Sequence, residues 1–406
     1  MPPLPLGERT SAYPAWVVAS TGLAALAVAM GIGRFAFTPI LPMMQDDAGV
    51  SVSQGGWLAS ANYAGYLVGA LSAIVMRVRP AVAIRFALVL IGLSTLAMSL
   101  EHRFAVWIAL RAVAGVASAW VLVFVSAWAL ERLATFSRPA MAGAVYAGVG
   151  AGIAATGGAC LLLMSIEARS ADAWFVLGAA SLAMTAAVWP FVAAGPSAAA
   201  VETAAGARSA LSRTESWRLV LCYGAFGFGY IIPATFLPVM GKEAVPDPLL
   251  FGWAWPLFGA AAAASTLFAA RMSRFLSQRG TWIAANLAMA LGVMLPVAVT
   301  GLSGILVAAL FVGGTFMVIT MAGMQEARRV AGARARELMA AMTSAFAVGQ
   351  IAGPVSVSAL TAATGSFAPA LFVAASLLGL SAFLLIPARA EPRSGGARQT
   401  DWSDTA

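Results

Sequence analysis

Twelve stretches of about 20 residues, each nearly free of charge, follow one another along the chain between short breaks marked by charged residues or proline. A helix needs about 20 residues to cross the ~30 Å hydrocarbon core of a bilayer, so each stretch is long enough to span one. The runs are 16–43, 56–76, 81–100, 104–130, 140–165, 173–193, 217–240, 250–270, 281–300, 304–325, 338–361 and 368–387. Only 10% of the residues are charged and 61% are hydrophobic. A soluble domain usually carries about 25% charged residues, so this one is excluded from that class. The expected fold is an all-α polytopic membrane protein.

Basic residues in short loops stay on the cytoplasmic side, and here they sort sharply. With the first run starting inside, nineteen arginines fall in cytoplasmic segments and helix ends, and only Arg103, Arg169 and Lys242 fall on the outer side. Both termini are therefore expected in the cytoplasm, in a bacterial-type inner membrane. The net charge of +8 reports topology and anionic lipid, not nucleic acid. The first run has no small-residue cleavage site and carries an arginine and two prolines, so it reads as retained. Residues 194–216 are small, polar and charged, as a linker would be; they divide a first half, 16–193, from a second, 217–387. Residues 1–15 and 388–406 read as cytoplasmic tails, the second one disordered. Cys160 and Cys222 fall inside runs, with no spacing that suggests a metal site.

The halves repeat each other. Gly31, Gly33, Leu41, Pro42, Met44, Gly56 and Trp57 recur 196 residues later as Gly227, Gly229, Leu237, Pro238, Met240, Gly252 and Trp253. At the matching place Arg34 in the first copy faces Tyr230 in the second. An even number of runs per copy makes the halves parallel, with a cavity expected between them. A guanidinium inside hydrocarbon is costly and marks function by default. At helical spacing Arg34 shares a stripe with Ala27, Gly31 and Thr38, and the second copy offers Tyr223, Gly227, Tyr230 and Ala234. Two roles suit Arg34: binding or coupling of a solute, and clamping backbone carbonyls freed near Pro39 and Pro42. Arg111 lies on a stripe with Trp107, Gly115, Ser118 and Leu122, where it either serves coupling or tethers helices while stacked on Trp107. Asn62, Tyr63, Tyr66 and Gly69 on the second run and Tyr146 on the fifth could touch a solute or glue helices together. Thr315, Thr320, Thr343, Ser344 and Gln350 are weaker candidates of the same kind, while Trp57 and Trp253 read as interfacial anchors.

The twelve runs, central linker and repeat over residues 15–388 resemble the major facilitator superfamily. Leu110, Arg111 and Gly115 are similar to its helix-4 motif, which implies that Arg111 contacts helix 1 and affects coupling. Gly349, Gly353 and Pro354 are similar to a Gly-xxx-Gly-Pro element that the family usually carries on helix 5. Here helix 5 keeps only Gly148 and Gly152, and all these glycines are candidates for gating or helix packing. The runs GIGRFAFTPILPMMQ and GGWLASANYAGYLVGAL look like the YbfB/YjiJ-type branch. The superfamily's loop motif survives only as Gly69, Leu71 and Arg77. Ala73 and Met76 stand where its Asp and Gly belong. The resemblance implies two parallel six-helix halves and secondary transport by alternating access.

All sixteen acidic residues fall in loops, tails or helix ends, with Asp46 and Asp47 at the outer mouth. The single histidine, His102, falls in a short outer loop beside Glu101 and Arg103, where it reads as solvated. Positive charge without a buried counter-charge favours an anionic or carboxylate-bearing solute. The leading expectation is a permease for a small organic solute, monomeric, with no cofactor or metal. A proton-linked exporter of drug-like or metabolic compounds is the alternative, and a non-transporting sensor a distant one. No G-x-x-x-x-G-K-[ST] loop, H-E-x-x-H or G-x-S-x-G occurs, which argues against ATP-driven transport and against an enzyme.

Overall fold

A computed structural model describes residues 13–192, 212–244, 253–272, 275–299 and 301–386. Both expected tails beyond these bounds, most of the linker, and Gly252 of the repeat lie outside the described residues, as do the side chains of Leu237, Pro238, Met240 and Lys242.

Each of the twelve runs contains a helix. They are α1 (Ala15–Asp47), α2 (Val52–Val75), α3 (Pro80–Leu100), α4 (Phe104–Thr135), α5 (Ala142–Ser165) and α6 (Ser170–Val188), then α7 (Arg213–Ala244), α8 (Ala254–Met272), α9 (Gln278–Ala298), α10 (Leu302–Ala331), α11 (Ala335–Thr364) and α12 (Ala368–Leu384). Among the described residues nine stretches are long and apolar enough to cross a membrane; one of them, Ser303–Val357, takes in both α10 and α11, and α12 is apolar but shorter. No strand occurs among the described residues.

Local chemistry sets the helix ends. Ser51 Oγ accepts from the Gln54 N–H at 3.1 Å and Gln54 Oε1 accepts from the Ser51 N–H at 2.9 Å, a reciprocal cap that starts α2. Pro80 opens α3, where its missing N–H costs nothing. Asp47, at the end of α1, accepts from the N–H and Oγ of Ser170 and so ties α1 to the start of α6. Gly332, at φ +52°, lets the chain leave α10 and re-enter α11 after one tight turn. Between α3 and α4, the Arg103 side chain and the backbone N–H groups of Arg103 and His102 hold the Glu101 carboxyl down to about 2. His102 itself is exposed.

The packing of α1–α6 is repeated by α7–α12. Within the first group α2 lies on α4, α1 on α5, and α3 on both α4 and α6; within the second, α8 lies on α10, α7 on α11, and α9 on both α10 and α12. The main contacts between the groups are α5 with α8 and α2 with α11, a pair that exchanges when the groups are exchanged. Small residues make these seams, as they must where no water drives helices together. A Cβ on Gly115 would overlap the carbonyl of Asn62, one on Gly148 that of Leu23, and one on Gly152 that of Ala27. Gly31 meets Gly152, Gly227 meets the Phe346 carbonyl, and Gly349 meets the Gly224 carbonyl, while Gly353 abuts Ile231 and Gly33 abuts Ser118. Between the groups, Gly150 and Gly157 of α5 press on Gly259 and Pro256 of α8. Large apolar side chains such as Val75, Leu100, Phe86 and Phe268 point outward, as a bilayer-facing surface requires. Trp57 and Trp253 are also exposed, at helix ends.

Two expectations need correction. First, α10 continues to Ala331, so Glu326 is not at a helix end but within the helix, 1% exposed. It accepts from Arg279 Nε at 3.0 Å and Arg329 Nε at 2.8 Å, while Arg279 also pairs with Glu215, which pairs with Arg218. This network joins α7, α9 and α10 at the arginine-rich end of the bundle. The sequence hid it because charges at that end read as loop residues. Second, α1 is not α-helical throughout: Ala27–Phe35 is wound as a π-helix. The α-helical stripe Ala27–Gly31–Arg34–Thr38 therefore does not hold in the segment that carries Arg34.

Candidate functional site

A π-helix bonds each N–H to the carbonyl five residues back; it is rare and concentrates at functional sites. In α1 it lies just before Pro39, which supplies no N–H and so leaves one carbonyl behind it without a ladder donor. Side chains of α2 and α4 bond to carbonyls of this segment. Arg111 of α4 donates from Nη1 to the Gly33 carbonyl at 3.3 Å and from Nη2 to the Arg34 carbonyl at 3.2 Å. Asn62 of α2 donates to the Gly33 carbonyl at 3.3 Å and to the Arg111 carbonyl at 3.0 Å. Ser118 of α4 donates to the Ala29 carbonyl at 2.8 Å. The clamp on backbone carbonyls here is thus made by Arg111 and Asn62, not by Arg34. Arg111 also lies over Phe37, at 4.9 Å from the ring centroid, and Trp174, at 6.0 Å, instead of the expected Trp107. Trp107 donates to the Glu101 carbonyl.

With its backbone held this way, Arg34 sends its side chain between the two helix groups. It is 3% exposed, and Nη2 donates to Oε1 of Gln350 on α11. The guanidinium stacks 4.1 Å from the Tyr66 ring and lies 5.5 Å from Tyr63, 5.4 Å from Phe35 and 5.8 Å from Phe346. Tyr230, the counterpart of Arg34 in the repeat, meets it across Phe346: the two rings are 6.0 Å apart and nearly parallel, and Tyr230 stacks on Phe316 at 4.6 Å. Two turns away, Tyr223 packs edge-on against Phe226 and Trp282.

Several of these buried polar atoms lack a hydrogen-bond partner among the described residues: Nε and Nη1 of Arg34, the hydroxyls of Tyr66 and Tyr230, and Nε2 of Gln350. The Tyr66 hydroxyl stands beside the guanidinium without bonding geometry. An unpaired buried donor costs about 1–3 kcal/mol, more when charged, so this is an expensive cluster to leave as it is. All its members but the two hydroxyls are pure donors. Arg34 and Arg111 put two positive charges here, and none of the ion pairs formed by the described residues includes either one.

Of the predicted site residues, the fold gathers Arg34, Tyr66 and Tyr230, with Tyr63 and Gln350, in one cluster, and places Arg111 and Asn62 directly behind it. Tyr146 is buried on α5, where it faces Ser126 of α4, and Thr38 is half-buried one turn beyond Arg34. Thr315, Thr320, Thr343 and Ser344 each donate to a carbonyl of their own helix three or four residues back, which leaves them little to offer a ligand. The rings of Phe346 and Phe316 carried no sequence signal beyond hydrophobicity. A glutamine in the middle of an apolar run was the available clue to Gln350. A separate cavity of about 120 Å³ lies at the opposite end, lined by Asp47, Glu101, His102 and Trp174 among others but by none of the clustered tyrosines.

The model of the family described as "Uncharacterised MFS-type transporter YbfB" matches residues 26–386. No curated protein matches the chain. Among solved structures, the fold is similar to the crystal structure of the human organic anion transporter MFSD10 (TETRAN), with a TM-score of 0.70 at 15% identity, over 92% of this chain and 100% of that one.

Proposed function

The chain belongs to the YbfB-type family of MFS transporters, and from that premise we propose that it moves a small carboxylate-bearing solute by alternating access, with Arg34 as the anchor. The observation that supports this reading is the state of Arg34: a buried guanidinium at the contact of the two helix groups, bonded to one neutral amide and to no carboxylate among the described residues. A buried charge needs a counter-charge, and an incoming carboxylate supplies one while taking the free N–H groups. Gln350 holds the same guanidinium from the other group, so the solute would sit where relative motion of the groups changes its surroundings.

A proton-linked exporter of cationic compounds would instead need a titratable acid near the solute. The buried acid among the described residues, Glu326, is engaged by Arg279 and Arg329 at the arginine-rich end, away from Arg34. The arginine distribution supports cytoplasmic termini in an inner membrane.

The experiment is counterflow in proteoliposomes loaded with a panel of labelled organic acids and their neutral amides. The expected result is exchange of one or more acids, lost in Arg34→Gln. Undiminished exchange in Arg34→Gln would overturn the anchor role, and a purified protein that binds but never exchanges solute would overturn transport.

A further inference from the structure

The two helix groups contribute unlike chemistry to the cluster. The first supplies the charge, Arg34, backed by Arg111 and Asn62 and faced by the rings of Tyr66, Phe35 and Tyr63. The second supplies the Gln350 amide and a set of packed rings. Phe346 on α11 packs against Phe226 at 5.1 Å and lies nearly parallel to Tyr230 on α7, which stacks on Phe316 of α10. These rings begin at the guanidinium itself, because Phe346 lies 5.8 Å from Arg34 Cζ. A carboxylate on Arg34 therefore has aromatic rings within reach of its next atoms, Phe346 of the second group among them.

Resting on the carboxylate reading above, we infer that the solute is an aromatic carboxylate whose carboxyl group stands one or two carbons from its ring. The short spacing follows from the closeness of the charge to the Phe346 ring. A long aliphatic linker would carry the ring past it. Stacking supplies the preference for a ring, since offset or parallel aromatic pairs gain beyond the area they bury. The unpartnered hydroxyl of Tyr230, at the edge of this surface, suits a polar substituent on the ring.

The full-length protein in proteoliposomes, exchanging labelled phenylacetate, tests this by competition with unlabelled propionate, succinate and phenylacetamide. The expected order has phenylacetate competing about tenfold better than propionate or succinate, as one well-placed aromatic contact allows, and phenylacetamide not competing. Phe346→Leu is expected to remove most of that preference while exchange still depends on Arg34. Phe316→Leu makes the same test should the first variant not fold, and the order in the unaltered protein decides by itself should neither fold. If propionate or succinate matches phenylacetate, the aromatic class is overturned and the carboxylate reading stands. If phenylacetamide matches phenylacetate, both readings fall. A monodisperse protein that exchanges none of the aromatic acids also overturns the inference.

Discussion

Arg34 and Arg111 are equally buried, but they commit their donors differently. Arg111 is bound through both Nη atoms to backbone carbonyls, whereas Arg34 gives one bond to a neutral side chain. The two should therefore respond differently to substitution. Arg111→Ala would take the side-chain donor from the Arg34 carbonyl and leave Gly33 to Asn62 alone, at a cost of about 1–3 kcal/mol for a buried group left unpaired. It should show as a clear fall in melting temperature in detergent, with or without solute. Gln350→Glu makes the opposite prediction. A carboxylate placed against Arg34 supplies the missing counter-charge from within, so the variant should melt a few degrees higher, in line with a gain of about 1 kcal/mol or more, and lose both exchange and stabilisation by solute. An unchanged melting temperature with intact exchange would contradict the role given to Arg34. Arg34 itself was legible in the sequence, since a guanidinium in an apolar run announces itself. Its neighbours were not. Gln350 lies 316 residues away, and only the packing of α11 against α2 and α7 brings the pair together.

Among the helices, what the sequence showed and what it concealed divide along one line. Apolar length placed a helix in every run, although ends such as that of α10 at Ala331 lie as far as six residues from the expected bound, because the bilayer fixes the least length of a span and not where its helix stops. Winding within a span is not marked by apolarity, and the π segment Ala27–Phe35 went unseen although Gly31, Gly33 and Pro39 lie in it or just beyond. Side chains on α2 and α4 hold its carbonyls, a tertiary effect. The glycine motifs were easier to place, since each marks a close backbone approach. Gly115→Val should disrupt the α2–α4 seam, where even a Cβ meets the Asn62 carbonyl, and sharply lower the yield of folded protein by fluorescence-detected size exclusion. Gly158→Ala, with nothing within 4 Å of the added methyl, should leave yield and melting temperature unchanged or slightly raised.

For the whole molecule, the repeat written in the sequence reappears as a repeat of contacts: α1 on α5 matches α7 on α11, and α3 on α6 matches α9 on α12. Orientation in the membrane follows from the arginines and can be checked with single cysteines, since Cys160 and Cys222 are buried and should give little background. A cysteine in place of exposed His102 should react with a membrane-impermeant maleimide in intact cells. One in place of exposed Arg138 should react only after permeabilisation. The reverse pattern would invert the topology. The α5–α8 seam bears on how such a molecule could move. Gly150 and Gly157 lie on one side of it and Gly259 on the other, so the helices meet almost backbone to backbone, with few side chains to lift from one groove into the next. Such a contact acts as a bearing: one helix can roll on the other at little cost in packing. Resistance to rocking would then be concentrated at the centre, where Arg34 and Gln350 must part, and a solute that replaces their bond would ease the motion that carries it.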